Sequence, residues 1–208
     1  MLKLTLPIPL DIFRRILQEG YGALSIYRGK FVVFENCTFS DSLGYPAGVY
    51  IKYSSLLMNG NSFFRNKGWG GVSMYIENSH AKANCNKFEE NEANGDPGYG
   101  AAFYLFESSL DAKLNIFTKN KAIGGYGGAI EVDFSQLYLT SNTFTSNTAA
   151  YGGAILGYES AMMTNADSFT DNAASVVSIC STRFLFQIIL VYQSLTDIAP
   201  CLPFLEWN

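Results

Sequence analysis

The sequence predicts an all-β fold, a right-handed parallel β-helix solenoid of about six coils over residues 21–174, and three observations predict it. Phe recurs as Phe39, Phe63, Phe88, Phe117, Phe144 and Phe169, at intervals of 24, 25, 29, 27 and 25 residues. Three places after each Phe stands Asn66, Asn91, Asn120, Asn147 or Asn172, with Ser42 in the first copy. Between these marks apolar residues alternate with a period of two, the pattern of half-buried strands. Self-similarity at such an interval marks units that bury their apolar faces only against one another.

The elements of each unit follow in order. An aromatic residue (Tyr21, Tyr45, Trp69, Tyr99, Tyr126 or Tyr151) opens the unit and is followed by small residues. Trp69 stands one place early, which implies a one-residue insertion in its coil. Gly127, Gly128, Gly152 and Gly153 in these turns supply a positive φ or a close backbone approach. A first strand comes next, as in Val49 and Ile51 or Ile130 and Val132. A Ser turn (Ser54, Ser79, Ser108, Ser135, Ser160) leads to a second strand, as in Leu56 and Met58 or Leu137 and Leu139. Two places before the Phe lie Cys37, Asn61, Asn86, Asn115, Asn142 and Asp167. Three short strands per turn then place like residues ~4.8 Å apart along the axis. Phe packs on Phe inside the stack, and Asn bonds to Asn above and below it. A helical solenoid would need longer segments of period 3.6, for which these units have no room.

The open end of such a stack needs a cover. Residues 1–20 are expected to provide it as a short helix capped by Asp11, with Ile12, Ile16 and Leu17 on one face and Gly20 as its stop. Residues 175–208 lose the motif, and a closing strand and loop, a poor cap or a foreign segment all fit them.

Composition excludes some classes. Hydrophobic residues make up 48% of the 208 positions and charged residues 15%, too apolar for a disordered chain. The net charge is −4 with both signs scattered, which argues against nucleic-acid binding. Prolines and Asp11 interrupt the apolar start, so no secretory signal is visible. No segment reaches the ~20 apolar residues of a spanning helix. The chain is expected to be a fragment of a larger surface protein.

Gly127, Gly128, Ala129 and Ile130 with Phe144 and Asn147, and Gly152, Gly153, Ala154 and Ile155 with Phe169 and Asn172, carry a family resemblance. These GGAI and Phe-x-x-Asn pairs resemble the repeat of the chlamydial polymorphic outer-membrane proteins. The earlier copies keep Phe-x-x-Asn better than GGAI. The resemblance implies a right-handed β-helix at a cell surface or outside the cell, acting in adhesion to host-cell or matrix glycans or proteins.

The candidate site residues are few. Glu77, Glu107, Asp133 and Glu159 fall ten to eleven places before their Phe and are expected to form an acidic line along the coils. Carboxylates one coil apart would have the spacing of a retaining glycosidase. The column from Tyr21 to Tyr151 is a candidate stripe for sugars or partners, against the plainer reading of structural stacking at a corner. His80, the one His, sits beside Ser79 without a nucleophile-elbow sequence. Cys37 and Cys85 lie two coils apart, too far for a disulfide, and the state of Cys180 and Cys201 stays open. No metal or cofactor is expected. The function expected is noncatalytic display or adhesion; the alternative is a carbohydrate-active lyase or hydrolase of the pectin-lyase-like fold.

Overall fold

A computed structural model of the chain describes the backbone of residues 12–14, 24–181 and 188–189, and side chains over residues 24–175. Every paired strand runs parallel to its neighbour, in three sheets. The first sheet carries the Phe motif in Ile12–Arg14, Thr38–Ser40, Ser62–Phe64, Lys87–Glu89, Ile116–Thr118, Thr143–Thr145 and Ser168–Thr170. The second contains Leu24–Tyr27, Val49–Lys52, Met74–Glu77, Phe103–Phe106, Ile130–Asp133 and the long Thr148–Tyr158, to which Ala173–Ser181 pairs. The third runs from Val32–Glu35 through Ser55–Asn59, His80–Asn84, Ser109–Lys113 and Gln136–Thr140 to Ala161–Asn165 and Ile188–Ile189. The chain visits the second, third and first sheets in turn, then returns through a short strand and a Gly-rich turn.

The register puts Phe39, Phe63, Phe88, Phe117, Phe144 and Phe169 opposite one another, coil by coil. Successive rings are 4.5–5.0 Å apart and within 2–7° of parallel. Strand spacing dictates this separation, and each ring contributes ~1.5–3 kcal/mol of burial. Val49, Ile51, Met74, Ile76, Leu110, Leu137 and their equivalents fill the rest of one continuous core.

Three ladders line the corners. Asn61, Asn86, Asn115, Asn142 and Asp167 form the first: each main-chain N–H and each amide donates to the side-chain oxygen one coil on, at 2.6–3.0 Å. Asn66, Asn91, Asn120, Asn147 and Asn172 form the second in the same way. The third is made of serines: Ser54 N–H donates to Ser79 Oγ, and so on to Ser160, while each of these hydroxyls donates to the carbonyl two residues earlier. These bonds satisfy buried polar groups that would otherwise cost ~1–3 kcal/mol each.

The residue just before each ladder position takes a left-handed conformation, and apart from Gly60 it is not Gly. The expected glycine role holds instead at the returning turns: Gly127 has φ 59°, and a Cβ on Gly128 would lie 2.0 Å from the carbonyl oxygen of Gly153.

The capping helix does not form at Ile12–Arg14. These residues are a strand paired with Thr38–Ser40, and Phe13 stands in register with Phe39. The exposed strand edge takes a parallel partner, which recruits Ile12 and its neighbours into the Phe sheet instead of a helix. The rest of 1–20, including Asp11, Ile16, Leu17 and Gly20, lies outside the described residues, as do Cys201 and most of the segment after Ser181.

Candidate functional site

Alternation decides what the second sheet shows on its outer side. Val49, Ile51, Met74, Ile76, Phe103, Leu105, Ile130 and Val132 point into the core. Their neighbours form two outer rows, Tyr50–Tyr75–Tyr104–Glu131 and Lys52–Glu77–Phe106–Asp133. A diagonal contact repeats between the rows. Tyr50 Oη donates to Glu77 Oε2 at 2.5 Å, and Tyr104 Oη donates to Asp133 Oδ2 at 2.9 Å. The third member differs. Glu77 is paired with Lys52 Nζ at 2.5 Å, whereas Asp133 faces a second carboxyl, Glu131.

Glu131 is 3% exposed, and its Oε2 has no hydrogen-bond partner among the described residues. The backbones of Gly100 and Gly127 press on its main chain: a Cβ on either would come within 2.9 Å of Glu131 N. Burial, then the charge of Asp133 and the hydrogen bond between them, raise the Glu131 pKa well above the usual carboxylate range. Burial also raises Asp133, against hydrogen bonds from Tyr104 and Glu131 that lower it. Glu131, the more buried of the two, is the member whose charged form is the more disfavoured. Tyr104 is held neutral by burial and by the Asp133 charge.

A raised carboxyl stabilises the fold fully below its unfolded value of ~4.3, and that contribution is lost as pH rises through the folded value. Glu131→Gln keeps a donor to Asp133 but does not titrate. Urea melts of parent and variant are expected to coincide near pH 4, with the variant increasingly the more stable toward pH 8. Parallel midpoints across that range would show that Glu131 does not titrate as described.

Glu131 was missed in the sequence because it lies in the Tyr row rather than at the acidic offsets. Its signal is an acid at an outward position where the three preceding coils carry Tyr50, Tyr75 and Tyr104. The acidic line itself does not exist. Glu77 pairs with Phe106, Phe106 with Asp133, and Asp133 with Tyr158. Glu107 and Glu159 fall one place later, on the corner, with φ 48° and 46°. Strand and corner positions differ by one residue, so the two offsets divide into separate columns with alternate coils empty of acid.

The aromatic column is continuous from Tyr45 to Tyr151, and Tyr21 lies outside the described residues. Tyr45 and Trp69 are 5.3 Å apart, Trp69 and Tyr99 6.4 Å, Tyr99 and Tyr126 5.7 Å, and Tyr126 and Tyr151 5.2 Å. Gly70, not Trp69, bridges to Tyr99, in line with the inserted residue. Tyr99 also stacks on Tyr104 at 5.3 Å. Trp69 meets Tyr45 and Tyr99 edge-on, and Trp69 and Tyr151 remain 47% and 40% exposed.

A shallow groove of about 730 Å³ follows the corner between the second and third sheets. Tyr53, Asn78, Glu107 and Phe134 form one wall, and His80 and Ser109 stand on the other. His80 Nδ1 and Ser109 Oγ, neighbours across paired strands, are 2.5 Å apart. No carboxylate bonds the other nitrogen of His80 among the described residues, so the contact is a cross-strand pair and not a charge-relay arrangement. Cys37 is buried, its thiol against the Glu35 carbonyl at 3.5 Å, and Cys85 is exposed. Among the described residues no group of three or more His, Cys, Asp or Glu is placed to hold a metal, and no helix is long and apolar enough to cross a membrane.

A family model described as a right-handed β-helix region matches residues 12–171, well over half of the chain. No curated protein and no solved structure matches it.

Proposed function

Because the chain belongs to the right-handed β-helix family, we propose that it is a noncatalytic binding module, a stack of coils that displays side chains to a partner at a cell surface or outside the cell. The observation that carries this reading is the burial of Glu131: at 3% exposed, the carboxyl whose pKa is raised most lies closed to a polymer substrate, and Asp133 beside it is half-buried and bonded by Tyr104. The exposed acids Glu107 and Glu159 stand two coils apart with Phe134 between them, and they are not a facing pair. The GGAI and Phe-x-x-Asn resemblance supports adhesion as the purpose of the display.

The alternative, a lyase or hydrolase acting on polysaccharides, draws on the same pair, since adjacent carboxyls with raised pKa values are the raw material of acid–base chemistry. The test is turnover. Incubation with a panel of neutral and uronic-acid polysaccharides is expected to release no reducing ends and no unsaturated uronates, while the protein binds cells or matrix saturably. Turnover lost in Glu131→Gln and Asp133→Asn would overturn the noncatalytic reading in favour of the enzyme.

A further inference from the structure

We propose that the corner groove binds a neutral, extended oligosaccharide, with Tyr53 and Phe134 as its stacking platforms; the proposal rests on the noncatalytic binding role and names its ligand class. The two rings are 46% and 48% exposed and stand in the same corner column, three coil steps apart. Three steps span about 14 Å at the strand spacing, a length that takes a short chain of sugars, not a single one.

The turn does not require an aromatic at either place, since Asn78, Glu107 and Glu159 take the same conformation in the same column. Tyr53 and Phe134 both have φ 50°, in the left-handed region. A bulky side chain is unfavourable there and Asn is tolerated. Asn78 holds the equivalent place one coil after Tyr53, with φ 47°. The chain thus carries an exposed, apolar residue of the wrong conformational type at two positions where a polar one serves the turn. Each ring is also fixed in place. Tyr53 packs edge-to-face with Tyr27 at 5.4 Å and is backed by Lys52, whose Nζ lies 5.1 Å from the ring centre. Phe134 is held edge-to-face by Phe106 at 5.9 Å and Tyr158 at 5.5 Å.

Between the platforms the groove offers amide, carboxylate, imidazole and hydroxyl groups from Asn78, Glu107, His80 and Ser109. Apolar faces joined by mixed donors and acceptors suit the apolar faces and hydroxyl edges of sugars. Other ligand classes fit less well. A peptide would seek to add a strand, but the corner N–H groups of Tyr53, Asn78, Glu107, Phe134, His80 and Ser109 are all spent on the neighbouring coils. A polyanion would need clustered cations, whereas Lys30 is the one Lys or Arg of the lining and Glu107 stands between the platforms.

Titration calorimetry on the full chain with cellohexaose, chitohexaose and hexagalacturonate tests the proposal. A neutral hexamer is expected to bind in preference to the acidic one. Tyr53→Asn and Phe134→Asn should each weaken it about tenfold, the loss of one stacking contact. Both variants should keep or raise the urea midpoint, since Asn suits the left-handed turn, which separates lost binding from lost fold. Leu114→Asn, the same change at an exposed corner residue outside the groove, should bind as the parent does. Failure of both neutral hexamers to bind, preference for hexagalacturonate, or unchanged affinity in both Asn variants would overturn the proposal. If the protein still bound cells without turning over polysaccharide, those outcomes would remove the groove and leave the noncatalytic role standing.

Discussion

Asn147→Ala is expected to cost the protein about 3–5 kcal/mol, because several buried groups lose their partners at once. Asn147 Oδ1 accepts from the main-chain N–H and the amide of Asn120, both at 3.0 Å. Its own amide donates to the carbonyl of Phe117 at 3.0 Å and to Asn172 Oδ1 at 2.8 Å. Asn147 is fully buried, so water does not replace these bonds. Asn172, which has no further rung to donate to among the described residues, should lose less on the same change. Urea unfolding of the two variants measures the difference, and equal costs would contradict a ladder that depends on both of its neighbours.

Phe144→Ala should cost about 3–5 kcal/mol for a different reason, the cavity left between two rings that do not move together. Phe144 is fully buried and lies 4.5 Å from Phe117 and 4.8 Å from Phe169, nearly parallel to both. The strands on either side are fixed by main-chain pairing, so the gap does not collapse. Phe169, half-buried, gives the comparison: its replacement by Ala should cost clearly less. Either loss is a large part of the ~5–15 kcal/mol that a domain has in total.

The columns were readable in the sequence because a stack forces one residue type to meet itself in every coil. Phe63, Phe88 and Phe117 repeat for packing, and Asn66, Asn91 and Asn120 repeat for hydrogen bonding; both demands are strict and local. The departures have a reason too. Cys37 and Ser42, the first rungs among the described residues, need only give their main-chain N–H, to Asn61 Oδ1 and Asn66 Oδ1. Asp167, the last rung of its ladder among the described residues, need only accept. The outer rows were harder to read. No neighbour dictates the residue there, so Glu131 was hidden by counting from the Phe, and Glu77 and Glu107 were merged across the one-residue step between strand and corner. The strand at Ile12–Arg14 was obscured by a local helical spacing that a long-range pairing overrides.

Along the two ladders, from Asn61 to Asn142 and from Asn66 to Asn147, each amide gives one N–H to the side-chain oxygen of the next coil and the other to a main-chain carbonyl of the coil before, so the side-chain links all run one way. Aligned dipoles strengthen one another along such a chain. A unit in the middle is polarised from both sides, and one at the margin from one side only. The solenoid is therefore a rod of graded stiffness, in which hydrogen exchange should be slowest around Asn91 and Asn120 and quicken toward either margin.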